Sequence, residues 1–199
     1  MRMPKAPLDP AALDQLFLGA RSYGVWRDAV VSDALIRQLY ELARWGPTAT
    51  NTCPARFVFV RSSVAKERLK RHLFPGNVDK TMSAPCCVIV AQDMRFAEVL
   101  PQLFPSRDLS AVFAGKDELV AETAFRNASL QGAYLMLSAR ALGLDCGPMS
   151  GFNTETLNKD FFPDGRWRAN FLCNIGYGDS SGLFPRNPRL AFEQACLEI

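Results

Sequence analysis

Histidine is nearly absent from this 199-residue chain, which holds one, His72. That argues against a metal site built on several histidines and against a Ser-His-Asp triad. Excess charge of one sign is also lacking. Twenty-three Lys+Arg against 20 Asp+Glu leave a net charge of +3, and no Lys/Arg run forms a basic stripe, so nucleic acid is not an expected partner. No apolar stretch approaches the ~18 residues of a membrane span. The opening MRMPKAPLDP has no apolar core after its positive charges and does not read as a secretory signal. The 6 cysteines include no C-x-x-C pair and no finger-like spacing. They read as small hydrophobes of a reduced, cytoplasmic protein, and no metal is expected. G-x-S-x-G, the P-loop, H-E-x-x-H and a G-x-G-x-x-G after a strand are all missing; Gly143–Gly147 is not the last of these.

What is present is ordinary globular material, 48% hydrophobic and 22% charged, enough for one domain spanning 1–199. No internal repeat, low-complexity segment or linker divides it. Asp9-Pro10 starts a helix in which Leu13, Leu16, Phe17 and Ala20 follow helical spacing. Ser32 precedes a second amphipathic helix, with Leu35, Ile36, Leu39, Tyr40 and Ala43 on one face and Gly46-Pro47 as its stop. Arg56–Arg61 and Ala169–Tyr177 read as strands. Cys86–Ala91 reads as a strand buried on both faces, with Cys86 and Cys87 pointing to opposite sides. Ser63–Leu73 reads as a charged surface helix, Pro75-Gly76-Asn77 as a turn, and Thr154 as the cap of a short helix to Phe161. Asp117–Leu142 is the longest helix, ending at Gly143, and it tolerates Gly132 at about 1 kcal/mol against Ala. The stretch Arg95–Phe113, broken by Pro101 and Pro105, gives no clear pattern, and the tail after Gly178 leaves the main one. Three clear strands and about six helices predict an α+β or α/β domain with a small sheet.

Four polar or Gly/Pro-rich segments could face a ligand: Arg21-Ser22, Pro47–Pro54, Gly147–Phe152 and Arg186–Arg189. Singly, each reads as a solvated residue or a connector.

Together they resemble the nitroreductase superfamily. Arg21-Ser22-x-x-x-Trp26 is similar to its R-S-x-x-x-F opening, and Pro47-Thr48-Ala49-x-Asn51-x-x-Pro54 to its P-S-x-x-N-x-Q-P loop. Asn77-x-x-Lys80 matches N-x-x-K. Gly147-Pro-Met-Ser150-Gly151-Phe152 stands where the family carries G-x-x-P-I-E-G-F, and Gly176-Tyr-Gly178 with Pro185-Arg186 and Arg189 resembles G-Y-P…P-K-x-R. The order is kept from about Leu13 to the C-terminus. GPTxxNxxPARFVFV, ETAFRNxSLQGAYL, GPMSGF and NIGYGDxSxLFPRxPRL further resemble a compact branch of malonic semialdehyde reductases of pyrimidine breakdown, or related 3-hydroxypropanoate dehydrogenases.

The resemblance implies an α+β fold with a small central mixed sheet flanked by helices, a long central helix and a C-terminal tail embracing the partner of a homodimer. It implies non-covalent FMN, with NADPH or NADH as co-substrate. The implied cofactor contacts are Arg21, Ser22, Tyr23, Pro47, Thr48, Ala49, Asn51, Asn77, Lys80, Pro148, Met149, Ser150, Gly151, Arg186 and Arg189. Arginine forks suit the near-dianionic flavin phosphate, from Arg21 and Ser22 on one side and Arg186 and Arg189 on the other. The Asn77 amide suits the pyrimidine edge of the ring, and the backbone at Pro148–Gly151 suits its face. In the family the loop corresponding to Pro47–Asn51 reaches the flavin of the other subunit. No protein acid–base residue is required, because the flavin carries the hydride. The implied activity is reduction of a small aldehyde, malonic semialdehyde to 3-hydroxypropanoate. Alternatives are a broad NAD(P)H reductase of nitroaromatics, quinones or enones, and a non-catalytic flavin-binding module. Departures from the family pattern are Ser150 for Glu, Cys53 for Gln, and Gly24 where some relatives carry a cation.

Overall fold

The computed structural model describes residues 5–199. Its centre is a four-stranded sheet of β1 (Ala55–Val60), β2 (Cys86–Asp93), β3 (Asp145–Met149) and β4 (Trp167–Gly176), in the order β1-β2-β4-β3. All neighbouring strands are antiparallel, with Val58 opposite Ile89, Val88 opposite Cys173 and Gly147 opposite Asn174. The expected mixed sheet is thus corrected; the one parallel pairing is an isolated bridge between Ser22 and Cys146 at the β3 edge. β3 contains Gly147-Pro148, a pair that on the sequence alone reads as a ligand-facing loop. Proline is tolerated there because β3 is an edge strand.

Each face of the sheet is covered by helices, as the period-2 alternation of β2 requires. Cys86, Val88 and Val90 face one core with Leu39 and Ala43 of α2 (Asp33–Ala43) and Leu135 and Ala139 of α7 (Asp117–Ala141). Cys87, Ile89 and Ala91 face the other, against Leu69 of α3 (Ser63–Lys70) and Leu157 of α8 (Thr154–Phe161). The two adjacent cysteines therefore do point to opposite faces. Burial pushes the Cys86 thiol up to about 12 and raises Cys87 as well. Both stay protonated and serve as small hydrophobes.

Local signals mostly act as expected. Asp9 caps α1 (Pro10–Leu13), which runs on into a π-helical turn, Asp14–Leu18. Ser32 caps α2 by accepting from the Leu35 N–H at 3.2 Å. Several details differ. Asn153, not Thr154, caps α8, accepting from the Thr156 N–H at 3.0 Å. Pro75-Gly76-Asn77 is not a turn but the start of α4 (Pro75–Ser83), proline sitting where no intrahelical N–H is required. Gly46 does not adopt positive φ; a Cβ there would lie 2.7 Å from Cγ of Tyr134, so close helix approach accounts for the glycine. The unreadable stretch holds a 3₁₀ turn (Phe96–Val99), α5 (Leu100–Leu103) and α6 (Ser110–Phe113), which with Ala124 form a small separate core. The apolar residues of α1 and its π turn are not buried, and Phe17 and Leu18 are exposed. On α7, Leu130 and Tyr134 also point outward. The tail carries one further turn of helix, α9 (Phe192–Ala195).

Candidate functional site

The segment from Arg21 to Arg27 is laid along the open edge of β3. The Tyr23 N–H donates to the Cys146 carbonyl at 3.0 Å, and the Arg27 N–H to the Tyr177 carbonyl at 2.8 Å. Gly147 makes this close approach possible: a Cβ there would lie 2.3 Å from the Tyr23 carbonyl oxygen. On the far side of the segment, the Asp179 N–H donates to the Val25 carbonyl at 2.9 Å, which leads the tail back past the start of the chain. The Arg21 guanidinium then meets the Phe184 carbonyl, and Arg186 donates to the carbonyls of Leu18 at 2.6 Å and Ala20 at 2.8 Å. Residues some 165 positions apart in sequence thus form one rim.

The rim encloses a cleft of about 470 Å³, lined by Arg21, Ser22, Tyr23, Gly24, Lys80, Arg140, Gly147, Pro148, Leu183, Phe184, Arg186 and Arg189 among others. Five of these side chains are cationic and no carboxylate lines the cleft. Elsewhere the arginines are spent on acids: Arg56 and Arg166 meet buried Asp93 at 2.6 and 3.1 Å, Arg68 meets Asp160 at 3.0 Å, and Arg44 meets Glu41 at 3.1 Å. The cleft arginines instead donate to backbone carbonyls, Arg189 to those of Asn187 and Pro188, each at 3.0 Å. The Tyr23 phenol is held above its ordinary pKa, first by burial and then by the charge of Asp145, so it remains a hydrogen-bond donor at neutral pH. A larger hollow of about 740 Å³ lies between β1 and α8, but its charged wall is Asp93 already paired with Arg56 and Arg166.

Helix α4 carries two more expected residues, of which Lys80 lines the cleft and Asn77 does not. Its C-terminal end is held by Lys66, whose buried ammonium donates to the Met82 carbonyl at 3.1 Å and to that of Ala84. The Lys80 stem passes beside Gly24, its Cβ and Cδ 3.8 Å from where a Cβ would stand. The Lys80 carbonyl accepts from Trp26 Nε1 at 2.9 Å and Asn174 Nδ2 at 3.1 Å, which fixes the helix to β4. Asn77 is buried, and its Nδ2 donates to the Gly151 carbonyl at 2.6 Å. One amide donor is therefore committed within the chain, and Oδ1 has no hydrogen-bond partner among the described residues. Met149 turns its side chain into the core, where its sulfur accepts from Thr81 Oγ1 at 3.6 Å, and Ser150 is exposed; of the expected stretch Pro148–Gly151 only Pro148 lines the cleft.

The expected residues Pro47, Thr48, Ala49 and Asn51 do not line this cleft. They stand where α7 meets β1, with the Ala49 N–H donating to Asn127 Oδ1 at 2.7 Å and Asn51 Nδ2 to the Leu103 carbonyl at 2.8 Å. Thr50, Asn51 and Cys53 all have positive φ, between 40° and 52°, a conformation non-glycine residues adopt only when their surroundings hold them. Arg140, at the end of α7, lines the cleft without having been singled out; on the sequence alone it is an ordinary cation in the last turn of a helix.

The fold is an antiparallel sheet flanked by helices, with a cationic cleft at its β3 edge. The nitroreductase family pattern matches residues 21–177, and the chain belongs to that family. It is 63% identical over 184 residues, 92% of this chain and 94% of the other, to a "Putative NADH dehydrogenase/NAD(P)H nitroreductase" of Rhodopseudomonas palustris. Among solved structures it resembles an FMN complex from Exiguobacterium sibiricum (TM-score 0.84, 21% identity, 99% of this chain and 100% of that one). It also resembles the structure of a "putative NAD(P)H:FMN oxidoreductase" from Staphylococcus epidermidis (TM-score 0.83, 19% identity, all of both chains). Those two likenesses establish the nitroreductase-like fold. Among the described residues no helix is long and apolar enough to cross a membrane.

Proposed function

We propose that this protein is an FMN-dependent NAD(P)H oxidoreductase that passes hydride to a small aldehyde, malonic semialdehyde, giving 3-hydroxypropanoate. The observation that carries the cofactor reading is the convergence of Arg21, Arg186 and Arg189 on a cleft without carboxylates. Such a lining fits a phosphate dianion, which needs several fixed cations and donors at once. When bound, FMN accepts two electrons as hydride from a nicotinamide and returns them to an acceptor. The chain's own part is placement. Arg21, Ser22, Arg186 and Arg189 hold the phosphate, and Lys80 adds positive charge beside it. Asn77 offers Oδ1 and a second amide hydrogen to the polar edge of the ring. The backbone from Pro148 to Gly151 forms the floor, and Tyr23 remains a neutral donor on the wall. The carbonyl acceptor takes its final proton from water or from a nearby donor such as Ser150 or Lys80.

A homodimer completes the site. The tail exposes Phe184 (85%), Leu190 (69%) and Leu197 (85%), too much apolar surface for a chain end to leave in water, and Phe17, Leu18, Leu130 and Tyr134 add to it. In the dimer the Pro47–Asn51 loop, remote from its own cleft, serves that of the partner.

The aldehyde is supported by the long segments shared with the semialdehyde reductase branch, GPMSGF and NIGYGDxSxLFPRxPRL among them. The printed name of the Rhodopseudomonas palustris relative favours a second reading, a broader nitro-compound reductase. One experiment decides both. The purified protein should be yellow, NADPH should bleach it without air, and malonic semialdehyde should restore the colour with a higher kcat/KM than nitroaromatics, quinones or enones. Protein that stays colourless after reconstitution overturns the cofactor reading; faster turnover of nitro compounds overturns the aldehyde.

A further inference from the structure

Arg140 has an unusual set of partners. Its Nη1 donates to the Leu16 carbonyl at 3.0 Å, its own carbonyl accepts from Gln15 Nε2 at 2.6 Å, and no carboxylate meets its guanidinium among the described residues. Its Nε is sealed from water and has no partner. A buried unpaired donor is destabilising, so a charged fork left this way is held for some other reason. Its open end lines the same cleft as Arg21 and Arg186. Arg140 and Arg186 bond to the same short segment, one at the Leu16 carbonyl and the other at those of Leu18 and Ala20. That segment leads directly into Arg21-Ser22. Each cleft arginine is therefore pinned by a backbone carbonyl through part of its fork, with the rest unspent.

We propose that Arg140 is a further phosphate-binding residue, reaching the bound flavin's phosphate from the end of α7 with Nη2 while Nη1 keeps Leu16 in place. This rests on the FMN reading above. It adds a contact from an element that the start and tail motifs do not include. Gly24 contributes no side chain to the same wall, and the only atoms a Cβ there would meet lie 3.8 Å away on Lys80, so nothing steric keeps charge from that side of the cleft. The fourth guanidinium comes instead from the long helix, the most firmly packed element next to the site.

The test measures FMN and riboflavin dissociation constants by flavin fluorescence for the full-length wild type, Arg140→Gln and Arg140→Lys. Riboflavin shares the ring and ribityl chain but lacks the phosphate, so the FMN-to-riboflavin ratio isolates the phosphate contact. Arg140→Gln should weaken FMN roughly tenfold or more, the usual effect of losing a charged hydrogen bond, and leave riboflavin unchanged. Arg140→Lys should recover part of the loss. Equal loss of both ligands, or loss of neither, overturns the inference: Arg140 then serves only the Leu16 carbonyl. If Arg140→Gln does not fold, Arg140→Lys decides, because the inference requires its FMN-to-riboflavin ratio to fall. A wild type that prefers FMN no more than riboflavin would overturn the phosphate reading of the whole cleft, an outcome visible before any variant is made.

Discussion

Replacing Arg21 with alanine separates the cleft's binding role from its structural one. The side chain is half-buried and lines the cleft; one Nη2–H goes to the Phe184 carbonyl, and on the phosphate reading the other donors serve the ligand. Losing the first bond removes one anchor of the tail, a cost of about 1 kcal/mol. For a chain of this size that moves the melting temperature of the apo protein by about 2–4 °C. Losing the second set removes a charge-assisted contact to phosphate worth about 1.5–3 kcal/mol, or a roughly 10- to 150-fold weaker FMN affinity. The melting comparison has to be made on apo protein, since bound flavin itself stabilises the fold in proportion to occupancy. The assay pairs fluorescence titration of FMN with a thermal melt of stripped protein. Unchanged FMN affinity would place Arg21 outside the phosphate site. A riboflavin affinity that falls as far as that of FMN would mean that Arg21 acts through the tail.

Three further outcomes follow from the packing. Asp93→Asn should cost about 3–5 kcal/mol in urea unfolding, because Asp93 is fully buried and its loss leaves Arg56 without its carboxylate partner and Arg166 with only the longer contact to Glu98 at 3.4 Å; a loss no larger than that of an exposed ion pair would refute the pairing. Gly147→Ala should destabilise by about 1–3 kcal/mol and release Tyr23 from the sheet edge, read as lost FMN retention together with a lower melting temperature; wild-type behaviour in both would refute the close contact. Iodoacetamide at mildly alkaline pH should spare Cys86, Cys87, Cys146 and Cys173 in the native protein and modify them only after unfolding, which mass spectrometry of peptides would show; labelling of Cys86 before unfolding would contradict its burial.

How much of this was legible beforehand depended on whether the signal was local. The run CCVIVA announced a strand with two covered faces, and the two cores on either side of β2 are what that pattern requires. The span Asp117–Leu142 was visible as one helix despite Gly132, whose reason appears only in three dimensions: a Cβ there would lie 2.6 Å from Cζ of Phe171 on β4. β3 was not visible, since five residues containing Gly and Pro read as a loop until their edge position is known. The small core around Phe96 and Phe113 escaped for a similar reason, its elements being single turns interrupted by prolines. For the site, motif order suggested that Arg21 and Arg186 belong together, but no periodicity could bring them near. Arg140 carried no signal at all, because a cation closing a helix is among the commonest of features.

The open side of β3 has a consequence for handling the molecule. Ser22 and Tyr23 occupy the hydrogen-bonding positions at Cys146, and Pro148 offers no N–H, so a stray strand from a neighbouring chain finds no continuous ladder to join. Trimming the chain past Tyr23, whether by a protease or by a truncated expression design, would bare that ladder at the same stroke that removes Arg21. Loss of colour and the onset of clumping in a preparation would then report one event, not two.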